Sequence, residues 1–483
     1  MEPMMAFNSL HYIFLFLPIV ALVNYFAWKL HPQISRFFIV AASIWFYCEL
    51  AQEGVLWLVI SCLITYGAYL TSNRCNCRRL IYGAAIVMNI AMLCFFKYNY
   101  LLSWDAASLN AGALMAPIAI SFFVFQQVSF LVDAYKRKFE HVIFLDYVYY
   151  VTFFPKMVSG PITRYDRLMN GIAAPVDSGK LTSGLVLLSI GLYKKIVLSS
   201  IFATVANAGY AAEAPLKLIE SWVTSLSYTM QIYYDFSGYS DMAIGSALIL
   251  GVSLPANFNS PYKAVNIRDF WNRWHISLST WLRDYVYIPL GGSRHGYPRT
   301  LANLLITFAI SGAWHGATIN FILWGVLHGV ATGINVTWAK LGYSMPRLAG
   351  LVVTFLFINA SWVPFRAESF DKVLNVYKGM IGLNGMSELT LWPASMLQET
   401  FNKFNVYKEL IAWNMSSAST VIVLAAALLM AFIAKNSNEI ACHEHPENTV
   451  KFRSVILCSV LFVISVICLF GGGGSVSFIY SNF

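Results

Sequence analysis

Residues 301–335 read LANLLITFAISGAWHGATINFILWGVLHGVATGIN, a stretch without a single Asp, Glu, Lys or Arg. An apolar run of about 20 residues is long enough to cross a lipid bilayer as a helix. The stretch therefore predicts membrane-embedded structure, and it carries His315 next to Gly316 and three positions after Gly312. Ionisable side chains at membrane depth are costly and usually belong to functional sites. The same residues thus indicate the fold class and a first candidate site residue.

The composition of the whole chain agrees with this interpretation. Of its 483 residues, 58% are hydrophobic and 11% are charged, with a mean hydropathy of +0.61. Soluble domains are about 25% charged, so an ordinary soluble enzyme is excluded. Further apolar segments lie at 10–30, 37–50, 54–72, 80–97, 112–132, 181–206, 218–234, 241–254, 348–364, 417–434 and 454–470. We predict an all-α polytopic membrane protein whose first apolar run is a retained span rather than a cleaved signal.

The charge pattern predicts the orientation of the chain. Lys and Arg exceed Asp and Glu by 32 to 23, and this excess is expected in cytoplasmic loops rather than at a nucleic-acid site. Basic connections at 29–36, 74–79 and 136–138 alternate with connections that carry Glu49, Glu53 and Asp105. We therefore expect a multi-pass protein with both termini outside and no nucleic-acid partner.

The cysteine pattern argues against a disulfide scaffold. Most of the eight cysteines fall inside apolar runs, and Cys75 and Cys77 lie in a basic loop expected to face the reducing cytoplasm. The stretch Cys442–His445 could in principle bind a metal, but we interpret it as a solvated loop. No metal site is predicted.

The middle of the chain contains apolar segments that are too short or too interrupted to span, at 141–170 and 255–300. Irregular backbone at membrane depth is tolerated only where protein or a water-filled cavity covers it. These segments therefore indicate re-entrant or interfacial elements around a site. Residues 266–288 are predicted to form one amphipathic helix, capped by Asn266 and ended by Pro289, with His275 on its aromatic stripe.

Two histidines in apolar surroundings suggest proton-transfer chemistry. A neutral imidazole in a dry site can accept the proton of a hydroxyl group that attacks an acyl donor. The sequence has no Gly-x-Ser-x-Gly elbow, P-loop or dinucleotide motif. It therefore favours direct transfer of the acyl group to a His-activated hydroxyl over a route through an acyl-serine intermediate. In a continuous helix His328 would point about 220° away from His315, and we interpret it as structural.

Several motifs together resemble those of the membrane-bound O-acyltransferases, and within them the bacterial alginate O-acetyltransferase type. The matching stretches are residues 153–165, 234–245, 257–260, 269–275, 281–285 and 288–293, the triplet Trp314-His315-Gly316, and the tail Phe478-Ile479-Tyr480. The tail departs from the family pattern after Tyr480, where Ser481 and Asn482 stand in place of an aromatic residue and Gln. The resemblance runs from the first span to the last residues.

The resemblance implies a ring of about 11–13 transmembrane helices with re-entrant helices around a central tunnel. The whole chain, 1–483, would be one domain with amino-terminal spans in 1–140, a catalytic core in 141–335 and carboxy-terminal spans in 336–483. An external loop is expected at about 366–415. His315 matches the histidine expected to be the general base, and His275 matches a second histidine on the opposite wall of the tunnel.

Further site residues follow from the matching motifs. Candidate substrate- or donor-binding residues are Arg164, Asp235, Asp269, Arg273, Trp274, Arg283 and Trp314. Asp235 and Asp241 should be buried and paired, with Arg164, Arg268, Arg273 and Arg283 as possible partners. These arginines could instead contact the phosphates of coenzyme A or of a phosphopantetheine carrier. No tightly bound cofactor is expected, and the donor would be acetyl-coenzyme A or another acyl thioester.

The function expected from the resemblance is O-acetyl transfer, at the bacterial inner membrane, from a cytoplasmic thioester to an exported polysaccharide such as alginate. Membrane lipid and periplasmic acetyl-transfer proteins would be its partners. Three alternatives stay open on the sequence alone. One is a D-alanyl transferase of the same family, one is a transporter that uses intramembrane His and Asp residues, and one is an assembly platform with the 366–415 loop as docking surface.

Overall fold

The fold is given by a computed structural model that describes residues 6–72, 77–102, 116–172, 178–386, 417–443 and 449–471. Within these ranges the regular structure is helical, apart from one isolated bridge between Ile172 and Val252. Several sequence predictions fall outside these ranges: Cys75, Asp105, the loop residues 387–415, Glu444 and His445, and the tail motif 478–480. They stay predictions.

Consecutive helices form the amino-terminal part, as the apolar runs predict. A π-helical turn, Tyr12–Phe16, leads into α1 (Leu17–Leu30), which is followed by α2 (Pro32–Leu50), α3 (Val55–Ser72), α4 (Arg78–Leu102) and α5 (Ile120–Tyr135). The turn between α1 and α2 has a local cause. The ring nitrogen Nδ1 of His31 accepts a hydrogen bond from the Gln33 N–H at 3.2 Å, and Pro32 occupies the first helical position, where no N–H is needed.

Three short helices come next and confirm that residues 141–170 do not span a membrane. They are α6 (Phe144–Thr152), α7 (Phe154–Met157) and α8 (Tyr165–Asn170). Phe153 and Phe154, at the junction of the first two, are fully buried. This irregular backbone is thus covered by protein, as its position in a membrane protein requires.

The central helix α11 (Leu218–Ile249) corrects one sequence prediction. It follows α9 (Ser178–Tyr193) and α10 (Ser199–Ala211), and it runs unbroken where the apolar pattern predicted two segments, 218–234 and 241–254. The pattern is interrupted at Asp235 and Asp241. The helix continues because Lys195 forms a salt bridge with Asp235 and Lys194 forms one with Asp241. The partners are therefore lysines, and the predicted arginine partners are wrong.

The remaining helices complete an all-α membrane protein. They are α12 (Ile267–Trp271), α13 (Ile276–Leu282), α14 (Tyr297–His315), α15 (Ile319–Lys340), α16 (Arg347–Arg366), α17 (Phe370–Met380), α18 (Ser417–Ile433), α19 (Ser437–Ile440) and α20 (Phe452–Phe470). Within the described ranges, 7 helices are long and apolar enough to cross a membrane: Tyr12–Leu30, Gln52–Ser72, Arg78–Tyr98, Ser178–Ala211, Ile319–Lys340, Arg347–Arg366 and Phe452–Phe470. The predicted fold class is confirmed.

The predicted continuous helix over 266–288 is wrong, because the chain breaks between α12 and α13. Its start is as predicted, since the Asn266 side chain accepts the Asp269 N–H at 2.8 Å. The break is made by a residue that is distant in sequence. The Asn257 carbonyl accepts the Ile276 N–H at 3.0 Å, and the Asn257 side-chain oxygen accepts the Ser277 N–H at 3.2 Å. These two bonds cap a new helix.

The apolar stretch 301–335 likewise forms two helices, packed as a hairpin with its turn at 316–318. Gly312 of α14 and Gly325 of α15 face each other, and a Cβ atom on either would collide with a backbone carbonyl oxygen of the other helix. Gly312 therefore serves helix packing. The continuous-helix geometry assumed for His328 is wrong, because the hairpin folds α15 back along α14.

The basic connections meet at one end of the molecule. Arg36 at the start of α2 forms a salt bridge of 2.6 Å with Asp146, and Arg78 at the start of α4 donates to the Ala134 carbonyl at the end of α5, at 3.1 Å. The other ends of these helices lie at the opposite side, where Tyr47 of α2 donates to the Ile118 carbonyl at 2.8 Å. The charge alternation in the sequence therefore corresponds to two distinct ends.

Candidate active site

His315 is the last residue of α14 and lies in an aromatic enclosure. Its side chain is 2% exposed. Three rings surround the imidazole: Trp314 at 4.7 Å, Trp324 at 5.1 Å and Phe365 at 5.1 Å between ring centroids. They come from α14, α15 and α16, so three helices meet at this histidine. Aromatic rings therefore form much of the wall around this imidazole.

Helix α4 holds the carboxy-terminal end of α14. Lys97 donates a hydrogen bond to the Trp314 carbonyl, and its ammonium group lies 5.2 Å from the centroid of the Trp314 ring. Tyr98 donates to the Ala313 carbonyl at 2.6 Å. The last carbonyls of a helix have no partner within the helix. Two side chains of α4 therefore satisfy the helix end that presents His315.

His275 occupies the break between α12 and α13 in a left-handed backbone conformation, with φ of +42°. Such a conformation costs a residue other than glycine about 1–2 kcal/mol. The side chain is 1% exposed, and its Nδ1 lies 3.1 Å from the Asn257 side-chain oxygen. Its Nε2 is buried without a hydrogen-bond partner in the part of the chain that the structure describes. Burial lowers the pKa of His275 to about 3, so the ring is neutral at physiological pH.

Both histidines adjoin one aromatic cluster. The cluster consists of Trp274, Trp324 and Trp362. The ring centroid of Trp362 lies 5.0 Å from that of Trp274 and 5.9 Å from that of Trp324. His315 packs on Trp324, and His275 follows Trp274 in the chain. Ring contacts therefore run from Trp274, beside His275, through Trp362 and Trp324 to His315. The fold therefore brings the two sequence-predicted histidines into one region.

His328 also approaches this region, but its ring nitrogens are both occupied. Nδ1 accepts the indole N–H of Trp271 at 3.3 Å, and Nε2 lies 3.0 Å from the Ser361 hydroxyl. Its ring centroid is 4.8 Å from that of Trp324. These contacts support the interpretation of His328 as a structural residue that orients the surrounding rings.

Most of the predicted charged binding residues form ion pairs with other side chains of the protein. Arg273 binds Asp269 at 2.7 Å, four positions earlier in the chain. Arg164 and Arg283 both pair with Asp284. Asp235 is fully buried against Lys195, as described above. These geometries give the residues structural roles, and their predicted contact with a donor stays a prediction.

Trp314 and Trp274, by contrast, are part of the aromatic walls. The Trp314 ring stacks on Phe125 at 5.1 Å and 19°, and Phe125 in turn stacks on Trp281 at 3.9 Å and 7°. Trp274 stacks on Phe270 at 5.6 Å and 16°. The indole nitrogens of Trp314 and Trp324 are buried and have no hydrogen-bond acceptor in the described ranges. A buried indole N–H usually finds an acceptor, so these two donors are available to a ligand.

A cavity of about 630 Å³ adjoins this region through Trp271, which contacts Trp324. It is lined by Arg268, Trp271, Asn272, Ile276, Ser279, Thr280, Leu282, Arg283, Tyr287, Ser293, Thr300, Leu304, Thr307, Phe308, Thr332 and Val336. The volume suits a ligand of the size of a small cofactor. Along α14 the lining ends at Phe308, about 10 Å before His315 at 1.5 Å per residue. Trp271 and Trp324, whose centroids are 5.8 Å apart, stand between the cavity and His315.

The position of the cavity mouth follows from its contacts. Tyr285, two positions after the lining residue Arg283, donates to Asp133 at 2.6 Å, and Asp133 forms a salt bridge of 2.8 Å with Lys138 of a basic connection. Arg268 and Arg283 lie on the exposed rim. The mouth is therefore at the end that carries the basic connections, and its rim is positively charged.

Three residues of this region were missed by the sequence analysis: Lys97, Asn257 and Trp324. Lys97 could have been found from the sequence, because it is a lone cation at the end of the apolar run 80–97. Asn257 lies in a matched motif but had no predicted role. Nothing in the sequence separates Trp324 from the other aromatic residues. No group of three or more metal-binding side chains is found in the ranges that the structure describes.

Comparisons with known proteins agree with these features. The model of the MBOAT, membrane-bound O-acyltransferase family, matches residues 25–334. A peptidoglycan O-acetyltransferase of Helicobacter pylori is 35% identical over 99% of this chain and 97% of its own length. A probable alginate O-acetylase AlgI of Pseudomonas aeruginosa is 33% identical over 80% of this chain and 77% of its own length. A teichoic acid D-alanyltransferase of Bacillus subtilis is 27% identical over 60% of this chain.

Proposed function

The chain belongs to the membrane-bound O-acyltransferase family and is an O-acyltransferase, and from this premise we propose that it transfers acetyl groups from a thioester to hydroxyl groups of an exported polysaccharide. The observation that carries the proposal is His315, a buried histidine at a helix end with aromatic walls. The seven candidate spans support a multi-pass membrane location. The bacterial relatives support the inner membrane as its site.

In the proposed reaction His315 is the general base. It takes the proton of the acceptor hydroxyl while the hydroxyl oxygen bonds to the acetyl carbonyl carbon. The tetrahedral intermediate collapses, the carbon–sulfur bond breaks, and the proton passes to the leaving sulfur as a thiol. The carbonyl oxygen becomes negatively charged in the intermediate and needs hydrogen-bond donors. The indole N–H groups of Trp314 and Trp324 flank His315 and are proposed as these donors.

The cavity is proposed as the entry for the thioester donor, either acetyl-coenzyme A or an acyl carrier. Its rim arginines, Arg268 and Arg283, suit phosphate groups. Basic connections mark the cytoplasmic side of membrane proteins, so the mouth would open to the cytoplasm with both termini outside. Trp271 or Trp324 has to rotate before a thioester arm can reach His315. Membrane lipid and periplasmic acetyl-transfer proteins are proposed partners, and no tightly bound cofactor is needed.

Peptidoglycan is the acceptor that the comparisons support best. The relative that acts on peptidoglycan matches this chain nearly end to end, at 99%, whereas the alginate relative covers 80% of it. Mass spectrometry of envelope glycans from a deletion strain tests this choice. We expect O-acetylated muropeptides to disappear and to return on complementation. Unchanged muropeptides with loss of acetyl from another glycan would contradict the choice of acceptor.

Replacement of His315 by Ala tests the catalytic proposal. We expect acetyl transfer by the purified protein to fall about 10²–10⁴-fold, the usual loss when a general base is removed. His11→Ala is the matched control, since His11 is an exposed histidine at the start of the first span. Protein level and membrane insertion should be normal in both variants. Near-normal transfer by a well-inserted His315→Ala protein would disprove the role of His315.

A further inference from the structure

We infer that Asn257 holds His275 in the tautomer with its proton on Nδ1, so that Nε2 presents a lone pair to a hydrogen-bond donor of the substrate. Asn257 is in this view a positioning residue for His275. The catalytic significance of the lone pair rests on the proposed function, whereas the tautomer itself does not.

The orientation of the Asn257 amide is set by a backbone group. The Ser277 N–H lies 3.2 Å from one atom of this amide, and a backbone N–H can only donate. That atom must therefore be the amide oxygen. The amide nitrogen points the other way and donates to the Ser240 hydroxyl at 3.2 Å. The side chain is fully buried, so no water competes for these bonds.

The Ser277 hydroxyl agrees with this orientation. It accepts the Ile162 N–H at 3.0 Å, so its own hydrogen is free to donate elsewhere. It lies 2.8 Å from the Asn257 oxygen and donates to it. Two donors thus converge on one amide oxygen before the histidine is considered.

The tautomer of His275 follows. Its Nδ1 lies 3.1 Å from the same amide oxygen, which can only accept, so Nδ1 must carry the hydrogen. A neutral imidazole has a single N–H, and Nε2 is then unprotonated. The left-handed backbone at His275, with φ of +42°, is what turns the ring toward Asn257 at the start of α13. Conformations of this kind persist where the surrounding structure enforces them.

The lone pair on Nε2 is available to a ligand. Nε2 is buried and has no donor in the ranges that the structure describes, and burying an acceptor without a donor is costly. The ring packs edge-on against Phe236, with the ring centroids 4.6 Å apart. The missing partner is therefore a neutral O–H or N–H donor, supplied by the acceptor hydroxyl or by an amide of the thioester arm.

The experiment is NMR of the ring nitrogens in the full-length protein, labelled at histidine and held in lipid nanodiscs. His275→Gln identifies the His275 signal by its loss. We expect the wild-type signal to show a protonated Nδ1 and an unprotonated Nε2. A wild-type ring protonated on Nε2 overturns the inference, whatever the enzyme activity. An inactive protein with the expected tautomer would instead contradict only the proposed function.

Three variants complete the test. Asn257→Asp keeps an acceptor oxygen and should keep the tautomer, whereas Asn257→Leu should shift the ring toward protonation on Nε2. Ser240→Ala is the matched control, because it removes the bond to the amide nitrogen and leaves the amide oxygen in place. An Asn257→Leu variant that folds and keeps the wild-type tautomer of His275 would overturn the inference. If Asn257→Leu does not fold, the wild-type and Asn257→Asp signals still decide.

Kinetics identify the substrate group that Nε2 serves. We expect Asn257→Leu to lower kcat/KM about tenfold or more, because a histidine held in the wrong tautomer cannot offer its Nε2 lone pair. The loss should appear in kcat or in the KM of a soluble glycan fragment if the acceptor hydroxyl is the partner. It should appear in the KM of acetyl-coenzyme A if the thioester amide is the partner. Wild-type values for both substrates would contradict a role for the Nε2 lone pair.

Discussion

At the residue scale the site places two imidazoles among aromatic rings. His315 is enclosed by Trp314, Trp324 and Phe365, and His275 has a single side-chain partner on its Nδ1. Charges that develop during acyl transfer are stabilised more strongly in such dry surroundings than in water. The few polar hydrogens that face the site therefore carry a large share of the proposed chemistry.

Trp324→Phe tests the indole N–H of Trp324. The change keeps an aromatic ring between His315 and His328 and removes one indole N–H. If this N–H stabilises the intermediate, kcat should fall about a hundredfold with little change in KM. Trp338→Phe is the control, because Trp338 lies on the same helix and is 44% exposed.

Steady-state kinetics of both variants with acetyl-coenzyme A measure the effect. A wild-type kcat for Trp324→Phe would exclude its indole as a donor to the intermediate. An equal loss for both variants would point to a general effect of shortening tryptophans on α15.

At the scale of elements the hairpin of α14 and α15 decides where His315 stands. Gly312 and Gly325 allow the two backbones to touch, and α4 then ties down the end of α14 through Lys97 and Tyr98. A displacement of about 1 Å can cost about 10²-fold in rate when it moves a reacting group. The end of α14 is therefore a place where a residue outside the reaction can control it.

Lys97→Met tests this control. Methionine fills a similar volume but cannot bind the Trp314 carbonyl, so the helix end should loosen. We expect kcat to fall about 10- to 100-fold. Thermal stability should change little, because the cost of burying the ammonium group disappears together with its hydrogen bond.

Lys340→Met serves as the comparison, since Lys340 lies over the Tyr297 ring at the other end of the same hairpin. It should be active at the wild-type level. An active Lys97→Met enzyme would show that the end of α14 does not need this cation.

At the scale of the whole molecule, the two ends differ in charge. The cavity mouth lies at the end with the basic connections, and the helix end that carries His315 points away from it. This arrangement suits a donor that enters from one side of the membrane and a product that leaves toward the other. It is the feature that favours transmembrane acetyl transfer over a reaction confined to one face.

Arg268→Gln tests the entry side. Removal of one charge-assisted contact to a phosphate should raise the KM of acetyl-coenzyme A about tenfold and leave kcat unchanged. The salt dependence of KM should also weaken. Arg299→Gln is a matched control, because Arg299 is exposed at the start of α14 and does not line the cavity.

Titration of acetyl-coenzyme A at two salt concentrations provides the measurement. A wild-type KM for Arg268→Gln at both concentrations would mean that the donor does not use this rim. The proposal that this cavity admits the donor would then have to be abandoned.

Local properties of the chain were sufficient to predict several features of the protein. The membrane class, the positions of most helices, the start of α12 at Asn266 and the choice of His275 and His315 all follow from hydropathy, spacing and motif resemblance. Hydropathy and helical periodicity are sums over neighbouring residues, so they locate apolar helices well. They also indicated correctly that 141–170 is broken into short elements, but they missed the break at His275 within the predicted helix 266–288.

What only the tertiary structure decided depends on contacts between residues that are distant in sequence. The break at His275 is made by Asn257, the unbroken course of α11 by Lys194 and Lys195, and the end of α14 by Lys97. Each is a polar contact that satisfies a buried group from another element. Hydropathy and periodicity, which are summed over neighbouring residues, cannot predict such a contact. Sequence alone therefore selected the candidate site residues, whereas long-range hydrogen bonds and salt bridges decided how those residues are held.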